Sequence, residues 1–209
     1  MKSNIKFFLF GQTEGKAQII VRIAIMMGIT ILIQYLTGLA GIQLLTGSFV
    51  NLLLLLSVLL SGMVGGACVG IITPFIALSI GLNPNVLLVP FIALSNAILI
   101  VAFSLVCMLL RLSQREAVWQ RICVLIVAVI VGALLKYLFM YFVCIKLVFP
   151  LLFPAPMVNK LSLAWGLLQL ATACIGGAVA TALYYPLQKV GLIRSVQVNK
   201  DGLNDNIER

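Results

Sequence analysis

Apolar residues run along this chain in stretches too long and too unbroken for the period of an amphipathic helix. The first covers residues 19–37, enough to cross the hydrocarbon core at about 1.5 Å of rise per helical residue. The second, 49–80, is longer than one crossing needs and is interrupted by Ser61-Gly62-Met63-Val64-Gly65-Gly66, where the reading divides it. Further runs follow at 86–110, 122–149 and 161–187, with turns predicted at Gly81-Leu82-Asn83-Pro84 and across the prolines Pro150, Pro154 and Pro156. The arm before the glycines is short, of a length that also suits a buried or re-entrant helix.

Charge parity tests the count. Lys2, Lys6, Lys16 and Arg22 mark the start of the chain, Arg111, Arg115 and Arg121 mark the basic internal loop, and Lys189, Arg194, Lys200 and Arg209 mark the tail. Basic residues flanking short loops face the cytoplasm, so an even number of crossings must separate these groups. The expected fold is therefore an all-α membrane protein of six transmembrane helices with both termini cytoplasmic. Its parts are a head at 1–18, a membrane domain at 19–187 and a polar tail at 188–209. The acidic residues Glu14, Glu116, Asp201, Asp205 and Glu208 fall in the same cytoplasmic segments. The stretches 38–48 and 81–85 hold no ionisable group, which suits a cap folded back over a cavity.

Composition strengthens this picture. With 63% hydrophobic and 9% charged residues, and a mean hydropathy of +1.20, the chain has too little polar surface to cover a soluble globule. The formal charge of +9 is then a matter of orientation in a bilayer, and no nucleic-acid partner is expected. Cys68, Cys107, Cys123, Cys144 and Cys174 are scattered without a CxxC pair and read as packing residues, leaving the redox compartment open. No cleavable signal peptide is expected. The phosphate-loop lookalike from Gly11 to Lys16 has three residues between its glycines and Ala17 after its lysine, so it is not an ATP site. Without histidine or a carboxylate at membrane depth, the sequence predicts no enzyme, no cofactor and no metal site.

The polar groups within the apolar runs carry the functional reading. Lys136 lies near the centre of the fifth span, where a lysine costs about 2.5 to 3.5 kcal/mol. Either it lines a cavity and pairs with an anionic ligand, or it snorkels along its helix or bonds helix carbonyls. Asn51, Asn96 and Gln169 must also find hydrogen bonds inside the protein, as interhelical glue or as ligand contacts. Trp165 and Tyr137 offer aromatic walls, with an interfacial anchor as the alternative for Trp165. Small residues recur four apart at Ala24 and Gly28, at Gly62, Gly66 and Gly70, and at Ala173 and Gly177. Packing within the bundle is the plain reading, and a docking face for another membrane protein is a second one for the first pair.

The order of several motifs resembles a known family. Thr46-Gly47-Ser48-Phe49-Val50-Asn51 is followed by Gly65-Gly66-Ala67 through Thr73-Pro74, and then by Pro90-Phe91-Ile92-Ala93-Leu94-Ser95-Asn96. Leu134-Leu135-Lys136 and Gln169-Leu170-Ala171-Thr172-Ala173 through Gly176-Gly177 complete the series. Together they are similar to the substrate-binding S component of energy-coupling factor (ECF) transporters. The resemblance implies a small protein of the bacterial inner membrane that captures a vitamin or precursor from outside. It implies as partners a transmembrane coupling subunit and two cytoplasmic ATPases, with tipping in the bilayer to release the load. It would place the docking face at Ala24 and Gly28, with glycine where the family usually has a second alanine. Asn51, Asn96, Lys136, Trp165 and Gln169 are the expected ligand contacts, and an anionic or polar vitamin-like ligand such as pantothenate meets their chemistry. The competing readings are a non-transporting scaffold, which would lack a ligand-sized cavity, and a stand-alone secondary transporter, which would carry paired repeats or intramembrane acids.

Overall fold

A computed structural model describes residues 16–82, 85–115 and 117–193; the remainder of the basic head and of the polar tail, with Glu116, lies outside the described residues. The described residues are almost all helical, with no strand among them. In hydrocarbon every backbone N–H and C=O must be satisfied within the protein, which a helix does locally. The helices are α1 (Lys16–Leu39), α2 (Gln43–Ser79), α3 (Val89–Leu109), α4 (Val118–Leu138), α5 (Phe149–Leu152), α6 (Ala155–Trp165) and α7 (Leu167–Lys189). A π-helical stretch, Phe139–Val148, joins α4 to α5, and 3-10 turns occupy Val86–Leu88 and Leu112–Gln114. Among the described residues, five helical stretches are long and apolar enough to cross a membrane.

The longest of them, α2, does not run straight. Gly62 has φ 75° and ψ 179°, a left-handed conformation that a side chain would strain. A Cβ at Gly66 would lie 2.5 Å from Val58, and one at Gly70 would lie 3.4 Å from Leu54. In a continuous helix those pairs would stand about 12 and 24 Å apart. The chain therefore reverses at Gly62, and the two arms of α2 pack antiparallel. The Arg22 guanidinium, on α1, donates to the Leu60 carbonyl at 3.1 Å, satisfying an acceptor beside the break.

Around this hairpin, α1, α3 and α7 each pack on α2, and α4 fills the space between α3 and α7. One core, built from Leu54, Leu55, Leu99, Ile100, Phe103 and Leu125, occupies the part of the bundle nearer the break. A second cluster, Leu88, Met140, Cys144, Ile145, Phe149 and Trp165, closes the other end. Leucine, isoleucine and valine side chains such as Ile20, Leu32, Leu105, Ile130 and Val179 point outward, as lipid-facing surface does.

Three boundaries differ from the sequence reading. The turn expected across Pro150, Pro154 and Pro156 is confined to Phe153 and Pro154, with Pro150 in α5 and Pro156 in α6, because a proline in the first turn of a helix forfeits no helix hydrogen bond. The run at 161–187 is broken at Gly166, whose ψ of −122° ends α6 and starts α7 on a new axis. Hydropathy does not register a change of direction within an apolar run. The uncharged stretch at 38–48 is mostly helix, because α2 begins at Gln43.

Candidate functional site

Lys136 is carried by the last turn of α4 and is 3% exposed. Its ammonium turns into the bundle, donating to Asn51 Oδ1 at 2.7 Å and to Asn96 Oδ1 at 3.0 Å. Each amide is held in that orientation by its other end. Asn51 Nδ2 donates to Thr172 Oγ1 at 3.2 Å, and the Thr172 hydroxyl donates to the Gln169 carbonyl at 3.0 Å. Asn96 Nδ2 donates to the Gly70 carbonyl at 3.2 Å. That carbonyl needs an outside donor because the residue four positions on, Pro74, has no N–H. The proline inside α2 thus leaves an acceptor that fixes Asn96.

Close helix approach sets the register. A Cβ at Gly176 would stand 2.5 Å from the Ser48 carbonyl oxygen and 2.7 Å from the Leu52 nitrogen. Only glycine lets α7 lie against the first arm of α2 closely enough for Thr172 to meet Asn51.

Beside this network is a cavity of about 370 Å³, within the range of small-molecule sites. It lies at the end of the bundle away from the Gly62 break, under the turn after α1, the start of α2 and the segment before α3. Its walls include Gln34, Gln43, Thr46, Asn85, Ser95 and Met140. An ammonium has three N–H donors and the two amides take two, so one is left for the cavity. Two charge-assisted hydrogen bonds, each worth about 1.5 to 3 kcal/mol, offset the cost of burying the lysine but do not neutralise it. No Asp or Glu lies among the described residues. When protonated, Lys136 thus brings to the cavity a positive charge that no carboxylate among the described residues balances.

A family model described as the ECF transporter, substrate-specific component, matches residues 18–188. The chain belongs to this family. It is a substrate-specificity subunit for uptake, a multi-pass membrane protein and a transporter subunit rather than an enzyme by the nature of its family. Membership implies association with membrane coupling and ATPase subunits and with a small ligand. Comparison with curated proteins and with solved structures finds no match.

In this S component, Asn51, Asn96, Lys136, Trp165 and Gln169 all line this same cavity. The lysine does not snorkel; its nitrogen is met by amide oxygens from α2 and α3 rather than by carbonyls of its own helix. Trp165 is buried, its ring 5.3 Å from that of Phe149 in an edge-on contact. Tyr137 is not part of the wall and stacks on Tyr141 at 5.8 Å, because it follows Lys136 and so faces another side of the helix. Ala24 and Gly28 are exposed on α1, and nothing lies within 4 Å of where a Cβ of Gly28 would be. The other small residues, at Gly66, Gly70 and Gly177, are packed inside the bundle.

Thr172 and Gln34 were not singled out by sequence. Thr172 stands three residues from Gln169 and so on a neighbouring position of the same helix, a spacing that could have drawn it in. Gln34 carries no comparable signal in the sequence. Cys107 and Cys144 are buried packing residues, and all five cysteines are free.

Proposed function

We propose that this S component captures a small monocarboxylate micronutrient in the cavity beside Lys136, with Asn51, Asn96, Gln169 and Trp165 forming its surroundings. The observation that carries the reading is the lysine nitrogen beside a ligand-sized space with no carboxylate among the described residues to balance it. A carboxylate brings one negative charge and accepts the remaining N–H, whereas a doubly charged phosphate would bury an excess charge. Pantothenate, a monocarboxylate with hydroxyl and amide groups, is one ligand of this kind.

Counting the two arms of α2 as separate crossings gives six. The basic groups at Arg22, Arg111 to Arg121 and Lys189 then share the cytoplasmic side of a bacterial inner membrane, with both termini inside. The cavity then opens outward, as capture from outside requires. The exposed Ala24 and Gly28 face of α1 is where the transmembrane coupling subunit docks. Two cytoplasmic ATPases supply the energy, and the protein tips to release its load. Short, nearly uncharged outer segments keep the electrostatic cost of that motion low.

Mass spectrometry of the ligand retained after gentle detergent extraction, with equilibrium binding of the compound found, tests this reading. A monocarboxylate is expected. Retention of a cation or a neutral lipid in the cavity would refute it, and so would unchanged affinity in Lys136→Met.

A further inference from the structure

The polar groups at the base of the cavity are already engaged with one another. Asn51 and Asn96 each give one acceptor site of their oxygen to Lys136 and one N–H of their nitrogen to the protein, so both amides are oriented by the network and keep only part of their capacity for a ligand. Among the described residues four buried side-chain polar atoms lack a hydrogen-bond partner, those of Gln34, Ser61, Ser104 and Ser113. Of these residues only Gln34 lines the cavity, and the unpaired atom is its acceptor, Oε1. A buried acceptor without a donor costs free energy; Oε1 is sealed from the cavity, and a turn of the Gln34 side chain towards that space would let a ligand's donor recover the cost. Gln34 belongs to α1, whereas Lys136 belongs to α4, and the two stand on different walls of the same space.

We infer that Gln34 Oε1 is a specificity-determining acceptor, so that the ligand carries a hydrogen-bond donor, a hydroxyl or an uncharged N–H, in addition to the carboxylate held at Lys136. The inference rests on the cavity being the ligand site and deepens it by assigning the second end of the molecule. A ligand with an apolar far end leaves Oε1 buried and unpaired, which is how such a site rejects an isostere lacking the donor.

Matched carboxylates test this. In one pair, 4-aminobenzoate and 4-methylbenzoate, and in another, 8-hydroxyoctanoate and nonanoate, the members differ in the far-end donor while nearly keeping their shape. Binding is measured by calorimetry on the full chain in detergent, with thermal unfolding to verify that variants fold. For at least one pair the wild-type protein is expected to prefer the donor-bearing member by about tenfold. Gln34→Met is expected to abolish that preference by weakening the donor-bearing member alone. Equal affinity within both pairs in the wild-type protein, or a preference that survives in Gln34→Met, overturns the inference and leaves the cavity reading standing. Failure of all four carboxylates to bind the wild-type protein, or unaltered binding of all four to Lys136→Met, overturns the cavity reading and the inference together.

Discussion

The two ends of the bundle are made from the same helices yet differ in how they are filled. Toward the Gly62 break, Leu54, Leu99, Ile100, Phe103 and Leu125 are fully buried and close-packed. Toward the other end, the first arm of α2, α3, α4 and α7 present Asn51, Asn96, Lys136 and Thr172 to one another, and irregular backbone follows. The turn after α1, the 3-10 turn before α3, the π-helical stretch and the Gly166 break all sit at that end. Regular helices with interlocking side chains leave no room. Polar anchors and helix interruptions hold the same helices apart, and irregular backbone at such depth is tolerated where it borders a cavity or packed protein.

Breaking the packed end should cost stability and little else. Phe103→Ala is expected to destabilise the protein by about 3 to 5 kcal/mol, read as a fall in unfolding temperature in detergent, with the affinity of the folded fraction unchanged. A loss of affinity at normal stability would show that the ends are not independent. Breaking the polar end should do the reverse. Lys136→Met should weaken monocarboxylate binding by about 100-fold, roughly 2.7 kcal/mol, while the unfolding midpoint stays level or rises as a buried charge is removed.

A gentler change at the polar end sharpens the contrast. Asn96→Leu should weaken binding by about tenfold through loss of its hold on Lys136, with a small loss of stability because the Gly70 carbonyl loses its donor. An effect on binding as large as that of Lys136→Met would mean that the amide, not the ammonium, contacts the ligand. The smallest effect on the isolated chain is expected outside both ends. Gly28→Leu should alter stability by less than about 0.5 kcal/mol and leave ligand affinity intact, because its site is open. Its consequence should appear in co-purification with the coupling subunit, and undiminished association would remove Gly28 from the docking face.

Much of the candidate site was legible because a lysine and two asparagines are conspicuous in apolar runs, where each must be compensated. What the pattern could not show was the compensation itself. Lys136 is matched by two amide oxygens, and those amides are set by a threonine and by a carbonyl that Pro74 leaves without its usual donor. Gln34 was missed because a glutamine toward the end of a span reads as an ordinary interfacial residue, and its unpaired oxygen exists only in the folded bundle.

Sequence alone determined that the chain is helical and lipid-embedded, where its helices are interrupted by Gly62, and which rare polar groups need explaining, since hydropathy and backbone freedom are local properties. Tertiary structure decided that α2 begins as early as Gln43, that Gly166 divides the last apolar run, and that polar residues 85 positions apart meet at one cavity. Such contacts depend on how closely helices approach and how they are rotated about their axes. Those quantities are set by many side chains at once, not by any single stretch of chain.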